Sequence, residues 1–574
     1  MWSYVGVYRG HLTVGVLLLL ATSSFALTIP YLLGRIVDAL QADDPGAAIP
    51  PLAMAMIGFA VVQAGARIGS RIALFNAARK AEFDLRSELF RHLLSLDSKF
   101  FGRTPTGDVM SRLVNDVQTI RAMWGPGILN LVNTTFVFVT AMALMLSIDP
   151  WLTLWATLPY PSMVVFGRLF ARRLYKSSRA VQEQLGDLSS AVQEDLTGIG
   201  VIKTYTLEDQ RRDNFVGMSS ELKARNMSLV TIRGQLIPTL TGLASLSTVI
   251  VLYVGGRAVI NPDDPLELGR LVQFNGYLAM LVWPTLALGW MLSLVQRGRA
   301  SWQRIQDFLA TEPEIRDGDR EAPKPETVAG HIEVRGLDHD IDGDPILRAI
   351  EFDVPAGSTT AIVGRTGSGK STLIEMLPRI RDVPRGTVFI DGVDVTDYPV
   401  AQLRGLIGYA PQEAFLFSRS IAANVTFAND DADVRQAAIT AGLERDLERL
   451  PDGLETVVGE RGITLSGGQR QRVALARAIA ARPRILLLDD SLSSVDAHTE
   501  REILGHLGEV LEGRTAILIS HRIAAVRKAD QILVIDEGRI VQRGTHDQLL
   551  AEGGVYAELY QDQLADDVLE DPDE

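Results

Sequence analysis

The chain has no cysteine in 574 residues, which excludes disulfides and metal sites built on thiolates. It also lacks an excess of positive charge. The formal net charge is −14, and this argues against a nucleic-acid partner. No A-x-A-like cleavage site follows the first hydrophobic run, so that run reads as a retained span rather than a removed leader. Three connections contain no Lys or Arg at all: QADDPGAAIP (41–50), the turn around Asp149-Pro150, and INPDDPLE (260–267).

What is present divides the chain in two. At 47% hydrophobic and 22% charged, the composition suits neither a soluble enzyme nor a pure membrane protein, and two unlike halves would average to it. Six segments, near 12–40, 51–75, 125–148, 151–172, 229–258 and 270–296, approach the roughly 20 apolar residues that cross about 30 Å of hydrocarbon. The connections at 76–124 and 172–228 are dense in Arg and Lys and keep a helical rhythm. The positive-inside rule therefore makes them, and both termini, cytoplasmic, with helices running well out of the bilayer. The opening MWSYVGVYRG, with Trp2, Tyr4 and Tyr8, reads as an interfacial helix. TEPEIRDGDREAPKPETVAG (311–330) is a charged, Pro-bearing linker. From His331 to about Gln563, strand-length apolar runs alternate with helical stretches, the α/β pattern. The expected domains are 1–310, 311–330, 331–563 and an acidic, disordered tail at 564–574.

The second half carries the chemistry. GRTGSGKST, from Gly364 to Thr372, follows the apolar run TTAIV and fits a phosphate-binding loop between strand and helix. Gly364, Gly367 and Gly369 let backbone N–H groups close around phosphates. Lys370 offsets their charge, and Ser371 can ligate Mg²⁺. Arg365, Thr366, Ser368 and Thr372 complete the loop. In ILLLDD, four aliphatic residues of a buried strand end in Asp489, whose carboxylate can hold the Mg²⁺ shell. LSGGQRQR contains Leu465, Ser466, Gly467, Gly468 and Gln469. It starts a helix whose first N–H groups face an anion, unless it is simply an ordinary capped helix.

These motifs, in this order, resemble an ATP-binding cassette (ABC) half-transporter of the exporter type. GRTGSGKST resembles its Walker A motif, ILLLDD its Walker B, LSGGQ its signature, and SSVD (493–496) its D-loop. Gln412 in APQEAFLF matches the Q-loop, His521 in LISHR the switch histidine, and TVVGERG (456–462) the exporter X-loop. The resemblance implies a membrane α-helical bundle of six transmembrane helices fused to an α/β P-loop nucleotide-binding domain. It also implies ATP and Mg²⁺ as cofactors, head-to-tail pairing with a second half-transporter, and coupling helices near 100–117 and 194–210. His521 is then expected at the γ-phosphate, and Gln412 at the Mg²⁺ or the attacking water. Substrate is expected to enter from the cytoplasm or inner leaflet.

Two departures stand out. Family members that hydrolyse ATP usually carry Glu after the Walker B Asp, whereas this chain has Asp490. The side chain is shorter by one methylene, roughly 1.3 Å of chain. A misplacement of about 1 Å in a positioning group can cost on the order of 100-fold in rate. Ile341 occupies the place where an adenine-stacking aromatic is common. With the signature and His521 intact, the expected partner is a non-identical half carrying the Glu. A homodimer in which Asp490 works slowly, and an ATP-gated regulatory subunit, are the alternatives.

The cargo is less legible. A hydrophobic drug-like or lipid-like compound is the default. Arg67, Arg71 and Arg233 near span ends can meet an anionic cargo or simply snorkel to headgroups. Asn130, Asn133, Gln273 and Asn275 can serve as helix–helix contacts, and Trp283 and Trp290 as packing or lipid-facing residues.

Overall fold

The structure is a computed structural model that describes residues 2–41, 43–260, 266–318, 327–341, 343–429, 431–459, 465–495 and 497–570. Part of the linker, most of the 260–267 connection, the end of TVVGERG, Asp496 of SSVD and the last four residues lie outside the described residues. The chain forms two compact units. One comprises Met1–Leu94 with Pro105–Thr311, the other Ser95–Thr104 with Glu312–Glu574.

Among the described residues the first unit is all helix, and five helices there are long and apolar enough to cross a membrane: Arg9–Ala39, Pro45–Ser95, Thr106–Ile148, Glu208–Val259 and Leu268–Leu309. The segment expected at 151–172 is divided. Asp149 caps Pro150–Thr157 by accepting from the Trp151 and Leu152 N–H groups (2.8 and 3.1 Å), and a second helix runs Tyr160–Thr197. Pro159 and Pro161 flank the break, and Arg168, Arg172 and Arg173 thin its apolar character. Pro45–Ser95 has 51 residues. At 1.5 Å each that is about 77 Å, far more than a bilayer core needs.

Small residues set the packing of Arg9–Ala39 on Leu268–Leu309. A Cβ on Gly269 would lie 2.2 Å from the Gly34 carbonyl oxygen, and one on Gly276 would lie 2.7 Å from Pro30. The Gly269 N–H donates to Asp38 at 2.7 Å. Such backbone approach is how apolar helices associate where burial offers no hydrophobic gain. Beyond the apolar stretch, buried Glu82 gathers Arg79, Arg86 and Arg121, and Arg304 pairs with buried Asp116. In the opening helix, Trp2–Gly6, and the residues after it, Tyr4 donates to Glu88 (2.8 Å) and Tyr8 to Asp84 (2.6 Å).

The second unit has two sheets. Strands β1 (Ile332–Ile341), β2 (Asp344–Val354), β4 (Val388–Ile390) and β5 (Val393–Asp394) form an antiparallel sheet in the order β2-β1-β4-β5. The six-stranded sheet comprises β3 (Thr359–Val363), β6 (Ile407–Ala410), β7 (Ile485–Asp489), β8 (Thr515–Ile519), β9 (Gln531–Asp536) and β10 (Arg539–Gly544). Its order is β10-β9-β3-β8-β7-β6, parallel except at β10. Both faces are covered, Ala361, Leu486 and Leu488 packing into one core and Ile362, Leu487 and Ile517 into the other. That is why these strands read as unbroken apolar runs.

Two segments attach to this unit more closely than their composition suggests. In the linker, the Gly318 N–H donates to Tyr398 O (3.1 Å) and Asp317 accepts from the Val400 N–H (2.8 Å). The helix Ser98–Arg103 is held by Ser98 Oγ donating to Ile380 O (2.8 Å) and by Lys99 on Glu314 (2.7 Å). The final helix, Val555–Glu570, continues past 564, where disorder was expected.

Candidate nucleotide site

Strands β3, β8, β7 and β6 are neighbours and parallel, so their C-terminal ends share one edge of the sheet. After β3 comes the Gly364–Lys370 loop; after β8, His521; at the end of β7, Asp489 and Asp490; after β6, Gln412. Ligand sites of open α/β sheets form at this edge. Residues spread over more than a hundred positions in sequence are thereby brought together.

The loop's shape rests on its glycines. Gly364 has φ 153°, and a Cβ there would lie 2.0 Å from Ile535 O; Gly369, at φ 98°, would meet Leu347 at 2.8 Å. No L side chain fits either place. Lys370 is buried, and its Nζ donates to the Gly364 and Arg365 carbonyls, each at 2.8 Å. Burial lowers the Lys370 pKa while the nearby Asp490 and Asp489 oppose the shift. Among the described residues Ser368 Oγ is buried with no hydrogen-bond partner, an orphan that the loop alone does not satisfy. Thr372 is in the first turn of the helix Lys370–Met376, Thr366 is exposed, and Arg365 reaches Glu558 (3.2 Å).

Ser371 Oγ donates to Asp489 Oδ1 at 3.1 Å. Burial pushes the Asp489 carboxyl up to about 6, an effect that Ser371 and Lys370 counter and Glu375 and Asp490 reinforce. A hydroxyl beside a carboxylate that is costly to leave unneutralised is an oxygen set suited to Mg²⁺. Asp490 is buried, with backbone in the left-handed region (φ 44°), and its N–H donates to Ile519 O at 2.9 Å. Asp tolerates that conformation better than most residues. Gln412 Nε2 lies 3.5 Å from Asp490 Oδ2, which brings these two sequence candidates together. Desolvation, then Lys370, lowers the His521 pKa against the pull of Asp490, which favours a neutral imidazole.

The signature forms the N-terminus of the helix Gly467–Ala480. Ser466 accepts from the Gln469 N–H (3.2 Å), and the Gln469 side chain accepts from the Ser466 N–H (2.8 Å), a capping box. Leu465 is buried beneath it, and a Cβ on Gly468 would lie 2.6 Å from Ser494 O. The Gly467 and Gly468 N–H groups belong to the first helical turn, which has no intrahelical acceptors. Ile341 is at the hairpin end of β1 opposite Asp344, 37% exposed.

Two residues escaped the sequence reading. Buried Gln471 donates to Gln412 O (3.3 Å) and Ser493 Oγ (2.9 Å), and accepts from the Ser494 N–H (3.0 Å). Arg522 donates to Val495 O (2.8 Å) and to buried Glu500 (2.5 Å). The only signal was their place beside named motifs, in QRQR and SHR.

A sequence-family match decides what this edge belongs to. Residues 12–285 match the ABC transporter transmembrane region, and 347–493 match the ABC transporter domain. A probable multidrug resistance ABC transporter ATP-binding/permease protein, YheI of Bacillus subtilis, is 38% identical over 96% of this chain and 95% of its own. The chain belongs to the ABC transporter family. The multidrug resistance-like ATP-binding protein MdlA of Escherichia coli is 33% identical over 100% of this chain and 97% of its own. The ATP-dependent lipid A-core flippase of Photobacterium profundum is 31% identical over 99% and 97%. A bacterial Atm1-family ABC exporter solved with ATP bound aligns at TM-score 0.77 and 26% identity, over 97% of this chain and 100% of that one. The architecture is that of an ABC exporter, a helical membrane domain fused to an α/β ATPase domain.

Proposed function

We propose that this ABC exporter chain is one half of a heterodimer that drives hydrophobic or amphiphilic, drug-like or lipid-like compounds out of the cytoplasm or inner leaflet. Both termini are cytoplasmic in this reading. The domain bounds are 1–310, 311–330, 331–563 and 564–574. Support for drug-like or lipid-like cargo comes from relatives described as multidrug resistance proteins and a lipid A-core flippase.

The observation that carries the asymmetric reading is Asp490, a carboxylate one methylene short on a buried, left-handed backbone position. ATP phosphates sit in the Gly364–Lys370 cradle, where Ser368 Oγ gains a partner and the Lys370 ammonium shifts its donors from loop carbonyls to phosphate. Ser371, Asp489 and Gln412 would hold Mg²⁺, which would neutralise phosphate charge when bound. Asp490 has the role of polarising water, and it falls short by one methylene, so binding exceeds turnover here. His521, held neutral, donates to the γ-phosphate. Ser466 to Gln469 present the first-turn N–H groups to the partner's ATP. A partner with Glu at the matching place completes the competent site. The competing reading is a slow homodimer, favoured by the contact that lets Asp490 orient the Gln412 amide.

ATP hydrolysis by the chain alone in lipid, beside Asp490→Glu, separates the two. Near-inactivity rescued by Glu, by on the order of 100-fold, supports the heterodimer. Brisk wild-type turnover with little gain from Glu overturns it.

A further inference from the structure

Helices Arg9–Ala39, Pro45–Ser95, Ile128–Ile148 and Leu268–Leu309 line a partly open cavity of about 410 Å³ in the first unit. That volume is within the range of about 300–1,000 Å³ usual for small-molecule sites. Its lining is mixed: Leu19, Leu129, Met280 and Trp283 are apolar, and Gln63, Arg67, Arg71 and Asn133 are polar. The sequence left two of these as cargo contacts or snorkelling cations and left Asn133 as a possible helix–helix contact. The structure puts all three on one cavity.

Three features give that cavity a preference. Arg67 and Arg71 are one helical turn apart, so their charges share a face. Among the described residues neither guanidinium has an ion pair or hydrogen bond, and no carboxylate lines the cavity. The hydroxyls are already engaged: Thr22 donates to Leu18 O (2.7 Å), Ser70 to Arg67 O (2.9 Å), and the Asn133 oxygen accepts from Ser23 (2.8 Å). What remains on the Arg and Asn133 side chains is hydrogen-bond donors. Unneutralised cations on an apolar helix bundle are costly and mark function. Both Arg side chains are exposed, yet both line this one cavity beside the helix Leu268–Leu309, so an anion held there meets the two charges together.

We infer that this cavity is a cargo subsite for the head of an anionic amphiphile, with Arg67 and Arg71 binding a phosphate, sulfate or carboxylate and Trp283 and Met280 flanking the adjoining chain. The inference rests on the export reading and names the cargo's charge. Paired guanidiniums grip such oxyanions by charge-assisted hydrogen bonds. The head can belong to a membrane lipid or to a dissolved amphiphile.

The test uses the full chain in phosphatidylcholine nanodiscs, titrated with a dansyl-labelled undecanoate and with its neutral methyl ester. The acid is expected to bind at least about tenfold tighter than the ester, and Arg67→Gln/Arg71→Gln to erase that preference. Arg67→Lys/Arg71→Lys, which keeps the charge, retains most of it. Competition by added phosphatidylglycerol identifies a lipid headgroup as the occupant, and its failure to compete identifies a free amphiphile; both keep the anion requirement. Equal binding of acid and ester, or an unchanged preference in the Gln pair, overturns the inference. A fluorescent ATP analogue reports the nucleotide site in every variant. Intact ATP binding with no acid preference sinks the cavity alone, leaving the export reading untouched.

Discussion

At the scale of single residues, Asp489 sets a pH dependence whose sign follows from its environment. Its carboxyl is pushed up to about 6 by burial. Mg²⁺ needs the ionised form, so affinity is full above that value and falls as pH drops through it, approaching about tenfold per unit. Titrating Mg²⁺ into nucleotide-saturated protein at a series of pH values checks this; Asp489→Asn should lose most affinity and the pH slope together. Without metal, the raised value means folding favours the protonated acid. Its contribution to stability therefore improves as pH falls through about 6 and is smallest above it. Gln471 offers a second test. Gln471→Leu keeps the volume but strips three hydrogen bonds joining Gln412 to Ser493 and Ser494. A local cost of about 1–3 kcal/mol is expected, with ATPase of the assembled exporter falling while nucleotide affinity holds. A matching loss of affinity would make Gln471 part of the binding cradle instead.

Elements follow different rules in the two units. In the ATPase unit, caps and turns fix where helices begin. Ser466→Ala removes the capping box on Gly467–Ala480 and should cost about 1 kcal/mol, read as a lowered Tm of this unit's transition. In the membrane unit, contact between helices depends on residues being small. Gly269→Val places carbon where Gly34 O and Asp38 already stand, 2.2 and 2.3 Å from the new Cβ. Overpacking of this kind costs about 1–3 kcal/mol, so Tm in nanodiscs should fall and Gly269→Ala should show a smaller drop. The motif strands were legible because a fully buried parallel strand is an unbroken apolar run bounded by its functional residue. The 151–172 segment was less so. Hydropathy averages over a window, and Pro159 with Pro161 breaks the helix inside it.

For the whole molecule, the asymmetric reading predicts unequal roles for two motifs of one chain. In the assembled exporter, Ser466→Arg should abolish ATPase, because the signature serves the partner's competent site. Asp490→Asn should change the rate little. Equal losses from both variants would mean that this chain's own Walker pair turns over and that the sites are alike. Measuring both in one preparation makes the comparison internal.

The sequence alone determined the two-part architecture and the glycine-rich form of the loop after TTAIV, because apolar length and a contiguous glycine-rich loop are local properties. Even the missing methylene at Asp490 is readable there, since it is a single position beside a motif. Tertiary structure decided what depends on distant segments meeting. Strand order places Gln412, Asp489, Asp490 and His521 on one edge, and Gln471 binds two loops that sequence keeps apart. Tyr4 and Tyr8 donate to carboxylates about eighty residues away. Arg67, Arg71 and Asn133 share a cavity only because separate helices pack side by side there. Such meetings are set by which surfaces bury each other, and no window along the chain contains that information.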